Sequence, residues 1–119
     1  MNTEKYTNTD YIPDQKTASE LESLNKQKQN LSNFNLPNAD LDKVYLVDAK
    51  MQNSNLSKAN LTNASLYGID LSGSNLFKSN FENANLNNAN LENCNLLGAN
   101  LNNTKLKNVN WGKDYKVIN

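Results

Sequence analysis

Every fifth residue from position 31 onward is a leucine or a close relative. The series runs Leu31, Leu36, Leu41, Leu46, Met51, Leu56, Leu61, Leu66, Leu71, Leu76, Phe81, Leu86, Leu91, Leu96, Leu101 and Leu106, with Trp111 next in step. A period of five suits neither common secondary structure. On an α-helix the step overshoots one face by about 140°, and on a flat strand it alternates between faces. The chain must therefore turn a corner in every repeat so that all the leucines reach one axis. Such a chain is a solenoid.

The other repeat positions say how the corner is made. Two residues before the leucine stands a small or apolar residue, as at Ala39, Ala49, Ala59, Ala64, Ala84, Ala89 and Ala99. The residue just before it is most often Asn, as at Asn35, Asn55, Asn60, Asn75 and Asn80. Two residues after it stands Asn or Gly in twelve of the sixteen repeats, among them Asn33, Asn53, Asn63, Gly68, Gly73 and Gly98. Those residue types tolerate the positive φ required at the third position of a type II turn. Each repeat is thus a short extended piece ending in a tight turn.

The pattern Ala-Asn-Leu-x-Asn/Gly, clearest from Ala84 to Leu91, resembles the pentapeptide-repeat family over roughly residues 29–113. The resemblance implies an all-β fold, a right-handed quadrilateral β-helix with four repeats to a coil and about four coils. Residues twenty apart would then stack, with Leu31 under Met51, Leu71, Leu91 and Trp111.

A solenoid needs covers at both ends. The segment 1–16 lacks periodicity and is expected to be flexible. Thr17-Ala18-Ser19-Glu20 has capping-box spacing, and Leu21 and Leu24 form an apolar stripe with Ala18. A capping helix over 17–28 is therefore expected. Deleting residues 1–13 should then leave the melting temperature nearly unchanged. The β-helix spans 29–113, and 114–119, with Tyr115, Val117 and Ile118, forms a tail or second cap.

Composition narrows the function. The 119 residues make one domain, with 12 Lys, no Arg, 12 acidic residues and no His. No segment is basic enough for a nucleic-acid footprint, and without Arg the usual guanine reader is missing, which argues against direct nucleic-acid binding. No apolar run reaches membrane or signal-peptide length, so the cytoplasm is the expected compartment. The lone Cys94 falls at the small inward position and reads as a core residue. Without His there is no Ser–His or Cys–His pair, no spacing suits a metal, and the glycines are turn residues. No enzyme activity, cofactor or metal is expected. Asp40 and Asp42 read as a solvated edge.

What breaks the polar outer pattern points to a partner. Phe77 lies beneath Leu97 on the wall built by Leu36, Leu56, Leu76 and Leu96. On the opposite wall, Tyr45 and Val47 lie below Tyr67. Stacked apolar residues on a rigid surface suggest a protein–protein interaction or scaffolding module, with Phe77 and Leu97 as the first anchor. A homodimer, through that wall or the C-terminal end, is the competing use of the same surface. The alternative function comes from the resemblance: some members imitate DNA, bind DNA gyrase and protect it from inhibitors. Imitating a duplex needs one negative charge per ~1.7 Å. The most acidic wall here carries Asp40, Asp42 and Glu82 against Lys43.

Overall fold

In a computed structural model of the chain, residues 3–113 are described. Two helices, α1 (Glu4–Thr7) and α2 (Thr17–Lys26), precede the repeats. From there the chain climbs as a tower, with principal extents of 39 × 25 × 23 Å.

Parallel bridges join residues twenty apart: Asn35 to Asn55, Asp40 to Asn60, Tyr45 to Ser65, Lys50 to Asp70, and upward in the same steps. With a five-residue repeat, that spacing puts one ladder on each of four walls. We number the walls in chain order by their leucines. The first carries Leu31, Met51, Leu71, Leu91 and Trp111. The second carries Leu36 to Leu96, the third Leu41 to Leu101, and the fourth Leu46 to Leu106.

Each corner is built as the sequence suggested. Asn33, Asn38, Asn53, Asn63, Asn83 and Gly68 all have φ between 57° and 74°, and so do Lys43, Asp48 and Lys58. The leucine carbonyl accepts from the residue three ahead, as in Ala59 N–H to Leu56 at 3.0 Å. The asparagine before each leucine has its own task. Its Oδ1 accepts the backbone N–H two residues ahead, as from Asn60 to Thr62 and Asn80 to Glu82, both within 3.1 Å. That N–H points outward at the bend and has no partner within a ladder, so an Asx turn satisfies it.

Inside, the leucines from Leu31 to Leu91 are almost completely buried, together with Phe34, Phe81 and the alanine columns. On the second wall the small inward position holds Ser54, Ser74 and Cys94. Their side chains donate in turn to the carbonyls of Leu31, Met51 and Leu71. The Ser54 hydroxyl also accepts from Phe34 N–H, and that of Ser74 from Ser54 N–H. Cys94 therefore continues a hydrogen-bonded column.

The N-terminal segment departs from expectation. It packs. Tyr6 is 2% exposed, its ring stacked on Phe34 at 4.9 Å between centroids and edge-on to Tyr11 at 5.1 Å. Lys5 bridges to Glu20 at 2.8 Å, tying α1 to α2. One aromatic residue is enough to anchor a short aperiodic stretch when an open core end lies beneath it, a target invisible to periodicity. The start of α2 also differs. Thr17 is not a cap: its hydroxyl accepts from Asp14 N–H at 2.8 Å, while Asp14 Oδ1 accepts from Lys16 N–H at 2.8 Å. The reciprocal capping arrangement thus sits three residues upstream. Residues 114–119, read as a tail or cap, lie outside the described residues.

Candidate interaction surfaces

The lower edge of the tower is closed by backbone and side-chain groups of the N-terminal segment standing in for a missing coil. Within the tower, Asn55 N–H donates to Phe34 O and Ser65 N–H to Val44 O. At the bottom, Asn35 N–H donates to Tyr6 O at 2.6 Å, and Tyr45 N–H to Glu22 Oε2 at 2.7 Å. Asn25 Nδ2 donates to Val47 O at 3.0 Å. Glu22 and Asn25 lie on one face of α2 and pin it against the fourth wall.

That docking leaves two neighbouring cavities between α2 and the fourth wall. One, of about 370 Å³, is lined by Asn25, Lys26, Lys28, Gln29, Val47, Asp48 and Lys50. The other, of about 520 Å³, is lined by Ser19, Glu22, Ser23, Asn25, Lys26 and Tyr45. Tyr45 stays 60% exposed and Tyr67 41% exposed, while Val47 is half-buried. Asp48 N–H donates to Tyr67 O, which places Val47 directly below Tyr67, and the Tyr67 hydroxyl engages Asn88 Nδ2. Of the three residues singled out on this wall, Val47 and Tyr67 stack, and Tyr45 stands below Ser65. Glu22, Asn25 and Lys26, which complete the surface, were missed. Their signal was the helical spacing of polar residues on α2, whose meaning depends on what the helix faces.

On the second wall, Lys78 N–H donates to Leu97 O, so Phe77 does lie beneath Leu97. Leu97 is 70% exposed. Phe77, however, is half-buried, with Lys78 Nζ 5.2 Å from its ring centroid. The pair is less open than its outward position implied, because an ammonium group covers the ring face.

Little here is shaped for proton transfer. Asp42 is held below the ordinary carboxylate range by hydrogen bonds from Thr62 and Asn63. Burial pushes the Cys94 thiol up to about 11. Among the described residues no cluster of His, Cys, Asp and Glu could hold a metal ion, and no helix is long and apolar enough to cross a membrane.

Comparison with known proteins fits this geometry. A family model for pentapeptide repeats matches in 8 copies, over residues 27–57, 39–76, 54–93 and 74–110. Among solved structures, the chain resembles alr5209, a pentapeptide repeat protein from Nostoc, at 27% identity and TM-score 0.59, covering 88% of this chain and 90% of that one. It is 41% identical to Rfr23 from the cyanobacterium Cyanothece, covering 72% of this chain and 58% of that one, with TM-score 0.38. It is 33% identical to HetL of Nostoc, involved in heterocyst differentiation regulation, covering 68% of this chain and 40% of that one, with TM-score 0.44. No curated protein matches.

Proposed function

The chain belongs to the pentapeptide-repeat family, whose members are right-handed quadrilateral β-helices and generally non-catalytic, and from that premise we propose that it is a non-enzymatic protein-interaction module of about four coils. It presents its fourth wall to a protein partner. The observation that carries this reading is the exposure of Tyr45, which lines one of the two cavities, and of Tyr67 above Val47, which lines the other, on a backbone fixed by ladders. Aromatic side chains on a rigid wall lose little entropy on docking, and the cavities give a partner side chain somewhere to enter.

The test is an affinity capture from lysate of the source organism with wild type and with a Tyr45→Asp, Tyr67→Asp double variant. Both tyrosines are exposed, and circular dichroism of the variant checks that its fold is kept. A partner retained by the wild type and lost by the variant supports the reading. Loss instead in a Phe77→Asp variant moves the site to the second wall.

The gyrase-protecting alternative calls for an acidic face. The third wall carries Asp40, Asp42 and Glu82, but Thr62 stands between Asp42 and Glu82, and Thr62 and Asn63 already occupy the Asp42 carboxylate. A supercoiling assay with and without a gyrase inhibitor tests it. Protection that disappears in an Asp40→Asn, Asp42→Asn, Glu82→Gln variant would favour the mimic over the interaction module.

A further inference from the structure

The groove between α2 and the fourth wall is uneven in charge. Its two cavities share Asn25 and Lys26; Tyr45 lines one of them, and Lys28 and Lys50 line the other. Lys26 and Lys28 stand at the C-terminal end of α2, where cations complement the helix dipole. Lys50 has no such reason to be there. It precedes Met51 on the first wall and brings a third ammonium group to the same cavity.

All three lysines are exposed, and among the described residues none of them pairs with a carboxylate within 4 Å. The acids nearby have other tasks. Glu22 Oε2 accepts the Tyr45 N–H, and Asp70, the ladder partner of Lys50, accepts the Ser72 N–H. Asp48 is the one acid that lines the cavity with the lysines. Above it, the outward residues of the fourth wall include Lys105 and Lys107 and no acid. Like charges gathered in a cleft focus a field that draws in the opposite sign.

We propose that the fourth-wall partner docks through an extended acidic peptide segment. Its carboxylates lie over Lys26, Lys28 and Lys50, and an apolar side chain rests against Tyr45 and Val47. This rests on the interaction-module reading and names the chemistry of its partner. Charge complementarity selects the carboxylates. The lysines line one cavity and Tyr45 the other, a span that an extended chain covers and a small anion does not. Asp48 selects a peptide over a nucleic acid. Its carboxylate calls for a donor, which a peptide N–H supplies, whereas a phosphodiester strand sets its own negative charge against it.

The test titrates the full chain with a short fluorescent peptide of glutamate and leucine, and with the same peptide carrying glutamine for glutamate. Anisotropy should show that the first binds and the second does not. The triple variant Lys26→Gln, Lys28→Gln, Lys50→Gln removes three exposed ion pairs and should weaken binding about tenfold. Its circular dichroism should match the wild type. Raising salt from about 0.1 M to 1 M shortens the Debye length from about 10 Å to about 3 Å and should weaken binding too. Lys58→Gln, Lys78→Gln, on the second wall, should leave it intact. Equal binding of the two peptides, or full affinity in the triple variant, overturns the proposal. So does tighter binding of a labelled oligothymidylate, which would make the groove a nucleic-acid site. A lysate partner lost by Tyr45→Asp, Tyr67→Asp but held by the triple lysine variant would sink the acidic segment and leave the fourth-wall reading standing.

Discussion

The carbonyl of Tyr6 accepts the N–H of Asn35 as the carbonyl of Phe34 accepts that of Asn55 one level higher. Tyr6 thus occupies the inward place of a coil that the chain does not have, and its ring fills the core below Phe34. Truncating a buried aromatic residue costs about 3–5 kcal/mol. Tyr6→Ala is therefore expected to lower the melting temperature markedly. Deleting residues 1–13 should do at least as much, reversing the expectation drawn from the aperiodic sequence. Thermal melts of the two variants check this, and a shift confined to Tyr6→Ala would contradict the packing described.

The same tyrosine should make the cap sensitive to alkali. Burial pushes the Tyr6 hydroxyl up to about 12, with the Glu20 carboxylate adding to the shift. A group whose folded value is raised stabilises the fold fully below its unfolded value and loses that contribution as pH climbs toward the folded one. The stability attached to Tyr6 is thus lost between about pH 10 and 12. A tyrosinate absorbance titration should show a late-titrating phenol from Tyr6. Tyr6→Phe should remove it and flatten stability over that window.

Two buried serines should differ in cost. The Ser74 hydroxyl accepts from Ser54 N–H at 3.0 Å and donates to Met51 O at 3.1 Å. The Ser79 hydroxyl donates to Leu76 O, which already takes the Ser79 N–H. Ser74→Ala strands a buried donor, worth about 1–3 kcal/mol. Ser79→Ala strands none and should be nearly neutral. Urea unfolding of the two variants gives the comparison.

At Gly68, φ is +70° and an added Cβ would lie 2.1 Å from Asp48 Oδ1. Gly68→Ala should cost about 1–3 kcal/mol through backbone strain and this contact together. In an Asp48→Ala background the contact part disappears and the strain part stays. A double-mutant cycle separates them, and full additivity would show that the Asp48 side chain simply moves aside.

Leucine truncation should report position along the tower. Leu71 is 1% exposed, and Leu71→Ala should cost about 2–5 kcal/mol. Leu101, on the upper coil, is partly exposed, and Leu101→Ala should cost less. Equal losses in urea unfolding of the two variants would contradict this.

The repeats were fully legible in sequence because each corner is a local event. The positive φ at Asn33 or Gly68, the Asx turn at Asn60 and the inward leucine all lie within five residues, and repetition makes the signal plain. That residues twenty apart stack was available only through the family resemblance, since periodicity shows corners and not how many close a coil. The outward places of Tyr45, Tyr67 and Leu97 followed from the same register. What surrounds them did not. Whether Phe77 lies open depends on where the Lys78 ammonium rests. Whether the fourth wall is bare or shared with α2 depends on Glu22 and Asn25 reaching backbone groups more than twenty residues away. Tyr6, in a stretch with no period at all, plugs the core because the first coil lacks a coil beneath it. Such long-range contacts leave no mark in local spacing. They are set by which unsatisfied groups and apolar surfaces the assembled tower leaves exposed, so the tertiary structure alone decided them.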